Sequence, residues 1–525
     1  MSRLFAVALI LVFSYAASAQ EHVHPPSSGA EKLGSVHFAT SCSPAVQPHF
    51  DRAVALLHSF EFGAAIKGFN EVLAVDSTCA MAHWGIALSR WTNPMAAGNR
   101  APELLQQGRL AAAAAKRLSA RATERERGYI SAVARLYNDF ERVDQRSRFV
   151  AYERAMGEMA ERDPADTEAR IFYAISLAAS APPTDKTYAN QRKAGSILEP
   201  LWERQPNHPG LAHYIIHSYD FPPLAPEAAA AARRYASIAP SAAHALHMPS
   251  HTFTRIGMWR ESIATNLRSV EVATRTASIA EALHAYDYAA YAYLQLRRDS
   301  AARNVVDKLP ALEARFDVNA ITGAAPGSAG VFALAAIPAR YALERRSWGE
   351  AAALEPRTTG FSWAEAMTHF ARALGASHTG DLTKARISID SLAAIRHRLA
   401  TKGEAYWSEQ VAIQRLGAEA WLELAAGRRD SALARMREAA TREEATEKNA
   451  VTPGPLAPAR ELLGDMLMEL RRPGEALSEY RLTLVKEPNR YRSLAGAVRA
   501  AGASGDRVAE ADFRAQLKAL TEGKP

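Results

Sequence analysis

The chain has 525 residues, too many for one compact core unless they form an elongated array. Its 63 basic and 56 acidic residues leave a net charge of only +7, with no dense Lys/Arg tract interleaved with aromatics, which argues against a nucleic-acid partner. After the first nineteen residues no stretch approaches the roughly 20 apolar residues that cross a bilayer, so no membrane span is expected.

Residues 1–19 read as a secretory signal. Arg3 gives the positive start, Leu4 to Phe13 an apolar run, and Ala17-Ser18-Ala19 a small-residue cleavage site. The expectation is an exported protein, periplasmic or secreted. Residues 20–42 bear Pro, Ser and Gly without periodicity and read as an extended leader. The two cysteines, Cys42 and Cys79, each precede the first helix of a repeat, at the same end of the array. In an oxidising compartment they are candidates for a disulfide pinning the first repeat; two unpaired buried thiols are the alternative.

From Ala45 onward apolar residues return every three or four positions, Ala, Leu, Glu and Arg abound, and β-branched runs are scarce. An all-α fold is expected. In the first repeat, the helix holding Phe50 to His58 is followed by Ala65, Phe69 and Asp76-Ser77. Near the C-terminus the order is Leu463-Gly464, Leu467, Ala476, Tyr480 and Glu487-Pro488. Gly464 and Ala476 are small where helices cross closely, Tyr480 fills the gap between neighbours, and Pro488 stops a helix. Gly257 with Trp259, Arg298-Asp299, Gly380-Asp381 and Gly427-Arg428 read as tight turns inside helix pairs.

This pattern resembles the tetratricopeptide repeat family. The resemblance implies an α-solenoid of antiparallel helix pairs whose first helices line a concave groove, and binding of a protein or peptide there. The chain is divided into a block at 43–320, a Gly/Pro/Ser loop at 321–330 and a block at 331–525. Val451 to Pro455 reads as a further loop entering the last repeats.

Seven of the sixteen histidines fall between His208 and His284. His213 and His217 recur 34 residues later as His247 and His251, one tetratricopeptide period. On an expected helix over 209–220, opened by Pro209, the residues His213, His217 and Asp220 share a face. The next first helix, after Pro240 with Ser241 as a plausible cap, carries His244, His247 and His251. Pro249 should kink that helix unless it begins later, in which case His244 leaves the stripe. A shift of 40 residues maps this trio onto His284, Asp287 and Tyr291. The exported bacterial tetratricopeptide proteins that this chain resembles carry the same His-x-x-His-Met-Pro-Ser-His run.

All nine residues are therefore candidates for a ligand-contacting groove floor. With helices about 8–10 Å apart, His213, His217, His247 and His251 mark a rectangle with a half-diagonal of roughly 5–6 Å, which one ion bridges. Zn, Cu, Fe or Ni suits such a set. His284 and Asp287 would then belong to a second site or orient a neighbouring ring. Haem is the other cofactor consistent with histidines, although no Cys-x-x-Cys-His motif exists. Neither a His-Glu-x-x-His helix, a Gly-x-Ser-x-Gly elbow nor a phosphate loop is present, so no catalytic residue is assigned and enzymatic activity stays open. Two functions follow: a scaffold that binds a protein segment over a histidine floor, or a metal- or haem-associated protein using the same residues.

Overall fold

A computed structural model describes residues 31–96, 98–182, 184–449 and 451–522. The expected signal and most of the leader, residues 1–30, lie outside the described residues. From Lys32 onward the chain is one unit. It is an all-α solenoid: twenty-five α-helices and three short 3-10 turns among the described residues.

Local chemistry sets the helix ends. Thr123 and Glu126 form a reciprocal capping box, and Asp144, Asp166 and Asp381 accept backbone N–H groups at helix starts. The turn between consecutive helices recurs almost unchanged. One residue adopts a left-handed conformation, and the next donates its N–H to the carbonyl five positions back, as in Met258 to Phe253, Ser278 to Ala273, Arg298 to Tyr293, Arg428 to Glu423 and Arg472 to Leu467. Glycine takes the left-handed position at 257, 380 and 427, whereas Ala277, Arg297 and Arg471 accept the strain elsewhere.

Between pairs, small residues admit large ones. A Cβ on Gly464 would lie 2.8 Å from the Tyr480 ring, and one on Gly496 would lie 2.4 Å from it. The sulfurs of Cys42 and Cys79 are bonded, with Cα atoms 5.0 Å apart. The end of the leader is extended and anchored by the fully buried Phe38, which packs on Phe50, Trp84 and Tyr129.

Of the expected loop at 321–330, residues 321–326 are loop, and Gly327 opens the Gly327–Glu344 helix, which packs directly on Ile279–Gln295. The array winds until its late repeats meet its middle. The Trp259 indole donates to the Asn489 carbonyl at 2.9 Å, and a Cβ on Gly257 would strike the Pro488 carbonyl at 2.5 Å. No described helix is long and apolar enough to cross a membrane.

Candidate metal centre

The histidine helices end and bend where proline and turn residues dictate. Pro209–Ser218 carries His213 and His217 but stops two residues before Asp220, which sits in the following turn. Ala243–His247 and Pro249–Arg255 are two segments meeting at Met248, because Pro249 supplies no N–H to continue one ladder. His244 therefore stays within the stripe. Ser241 is not the cap: Ala242 holds that position, and the Ser241 hydroxyl accepts the Lys32 N–H at 2.9 Å. Ile279–Gln295 carries His284, Asp287 and Tyr291.

These residues do not form an open groove floor. The six histidines, Asp287 and Tyr291 are at most 4 % exposed, and the Asp220 side chain is 10 % exposed. The two loops singled out in the sequence cover them. From one side, the Thr322 carbonyl accepts the Gly63 N–H and Ala325 donates to Glu281 at 2.8 Å. From the other, Lys448 reaches Asp220 at 3.0 Å, and the Thr452 carbonyl accepts the Tyr288 hydroxyl at 3.1 Å.

Nor do His213, His217, His247 and His251 make one rectangle. They divide between two triads, His213/His217/His244 and His247/His251/His284, each offering one ligand atom per residue, all within 4.8 Å of one another. Within-pair ring centroids are 4.7 Å apart for His213–His217 and 5.0 Å for His247–His251, while His217–His251 widens to 6.3 Å. His284 comes within 4.4 Å of His247 and completes the second triad.

In four of the six rings the nitrogen facing away from the triad is tied. His213 Nδ1 donates to the His58 carbonyl at 2.7 Å and His244 Nδ1 to Glu281 at 2.9 Å. The Nε2 atoms of His213, His217 and His244 are buried without a partner. In the second triad His247 Nδ1 faces Asn266 Oδ1 at 2.7 Å, and the Asn266 amide donates to the Ser262 carbonyl, which fixes Oδ1 as the acceptor. His251 Nδ1 donates to Asp220 at 2.8 Å. Both Nε2 lone pairs are then left facing each other at 3.0 Å. Tying one imidazole nitrogen to a carboxylate, carbonyl or amide so that the other points inward is how proteins orient metal-binding histidines.

Burial, followed by mutual repulsion, holds His213, His217, His247 and His284 well below the usual imidazole range. Burial also takes His251 down to about 4 in spite of Asp220. They are neutral at pH 7 and free to ligate. Burial pushes the Glu281 carboxyl up, but His244, His247 and the Ala325 N–H outweigh it and bring it to about 2. Burial and the Glu281 charge push Glu61 up to about 8.

Two candidate groove residues belong elsewhere. Asp287 is paired with Arg340 at 3.5 Å, and the Tyr291 hydroxyl accepts from Arg490 at 3.0 Å, inside a buried cluster with Glu344 and Glu461. Sequence reasoning missed Tyr288, whose ring lies 4.9 Å from both His247 and His251. It also missed Glu61, Glu281, Asn266 and Lys448, and a third cluster in which Glu168 bridges His58 and His208 at 2.9 and 3.0 Å. Glu281 and Tyr288 had a signal, lying three residues before and four residues after His284 on one helix; the others come from segments that share no spacing with it.

No family model matches the chain, and no curated protein does. Among solved structures, the crystal structure of yeast Tom70 superposes with a TM-score of 0.38 at 12 % identity, covering 88 % of this chain and 96 % of that one. The human IFIT1 dimer with m7Gppp-AAAA gives 0.37 at 10 % identity, covering 84 % and 90 %. The histidine geometry has to carry the functional reading.

Proposed function

We propose that this protein binds transition-metal ions in the interior of a helical repeat scaffold, one ion per histidine triad. The observation that carries the reading is the convergence of three buried imidazoles in each triad, with the opposite nitrogens of His213, His244, His247 and His251 tied outward. A tetrahedral ion with bonds of about 2.0–2.1 Å sets its donors about 3.3 Å apart, so small ring movements bring each triad onto one ion. All-imidazole ligation without thiolate suits Cu, Zn, Fe or Ni. Haem fits less well: three donors converge per site, whereas a haem iron takes at most two axial protein ligands. Export from the cytoplasm belongs to the same proposal, supported by the Cys42–Cys79 bond and the apolar run after Arg3.

The test is elemental analysis of protein purified without an affinity tag, before and after equilibration with Cu or Zn. Two equivalents are expected, falling to one in His244→Ala and to one in His284→Ala. Protein that stays metal-free after equilibration, or variants that keep full loading, would overturn the reading.

A further inference from the structure

A cavity of about 630 Å³ lies beside the metal centre, on the far side of the loop that carries Lys448 and Thr452. This is the size of a small-molecule pocket, which typically spans about 300–1,000 Å³. Phe332, Trp363, Tyr406 and Trp407 supply aromatic surface, with the two indoles stacked at 4.4 Å.

Several acceptors in its lining lack donors. Glu487 is 5 % exposed, and among the described residues its carboxylate takes no hydrogen bond and no ion pair. Glu443 accepts only the Ala459 N–H, at 2.8 Å. Glu447 gives one oxygen to Lys186 and Tyr188, and its second oxygen is buried without a partner, as is the Gln414 carbonyl oxygen.

The cations of the lining are already engaged. Lys186 pairs with Glu447, Lys448 and Arg255 with Asp220, and Arg460 with Glu444 and Glu479. Lys486 donates to the Glu443 and Thr446 carbonyls. No unpartnered buried donor among the described residues belongs to the lining.

We propose that this cavity binds a small organic ammonium ion. Its N–H groups donate to Glu443, Glu447 and Glu487, and its apolar body lies against the tryptophan wall. A buried carboxylate without a donor is costly, and an ammonium ion supplies both donors and charge. The aromatic faces add attraction for the same cation. Burial lifts Glu443 to about 7 and raises Glu487, as expected of carboxylates still lacking that partner.

The experiment is calorimetric titration of the full chain with 2-phenylethylammonium, its neutral isostere 2-phenylethanol, and 3-phenylpropanoate. The ammonium ion is expected to bind at least about tenfold tighter than the alcohol, as a charge-assisted hydrogen bond implies. The anion is expected not to bind. Glu487→Gln is expected to remove about tenfold of that affinity, and Glu443→Gln serves if Glu487→Gln does not fold. Chelator-treated wild-type protein is expected to give the same titration, so the outcome is independent of metal loading. Equal binding of alcohol or anion, no heat at millimolar ammonium, or unchanged affinity in both glutamine variants would each overturn the proposal.

Discussion

At 3.0 Å the Nε2 atoms of His247 and His251 are closer than two bare lone pairs tolerate, since the other nitrogen of each ring already donates its proton. A shared proton would relieve the contact, but burial sets both rings against charging. The proposed metal ion, bound beside them by both lone pairs, would relieve the contact. Asp220, which orients His251 and pairs with Lys448 and Arg255, then acts as a positioning residue. Asp220→Asn is expected to weaken metal binding about 10–100-fold, measured by competition with a chromophoric chelator. The same buried rings set a pH dependence for metal-stripped protein. In the unfolded chain they titrate near 6.5, below which that state takes up protons the folded state refuses. Stability is full above pH 6.5 and falls as pH drops toward the depressed folded values, about 4 for His251. Each histidine contributes a slope of about 1.4 kcal/mol per pH unit over that window. Urea midpoints recorded from pH 7.5 to 5 check this, and a flat profile would contradict buried neutral imidazoles.

Among the elements, the recurrent turn explains how much of the fold was legible. Gly257, Gly380 and Gly427 mark it openly, but the same turn at Ala277, Arg297 and Arg471 has no residue signal and follows only from the helix period around it. The repeat signature at Leu463 to Pro488 is legible because the packing requires it. Gly464→Ala would drive a methyl toward the Tyr480 ring at 2.8 Å and is expected to cost about 1–3 kcal/mol by denaturant titration. The Cys42–Cys79 bond closes a loop of 37 residues' separation in the unfolded chain. Its loss in Cys42→Ser/Cys79→Ser is expected to cost about 3–4 kcal/mol, read from the same titration. The triads were only half legible. Four histidines stand in a 34-residue register, yet their grouping depends on the break at Pro249 and on a 40-residue offset, both of which regular stacking hides. Partners such as Glu61 and Lys448 lie 183 and 228 positions from the groups they touch, beyond any local pattern.

Over the whole molecule, the two ions would join helices from the middle repeats to the loops that cover them. Because ions that bind only the folded chain stabilise it by mass action, chelation is expected to lower the melting temperature of wild-type protein. The His244→Ala/His284→Ala variant should melt at one temperature with or without chelator. Expectations drawn from weak net charge, including the one against nucleic acid, are global averages and stay apart from this chemistry.

The roof over the histidines would also govern traffic of the proposed ions. Thr322 to Ala325 and Lys448 to Thr452 are synthesised well after the Pro209–Ser218 and Ala243–His247 helices they cover. If the proposed ions bind, one that arrives before those late segments dock would be sealed in, and one that arrives afterwards would have to wait for them to lift. Release to an external chelator should then be slow and should level off at one rate however concentrated the chelator, because the clock is the lifting of the roof.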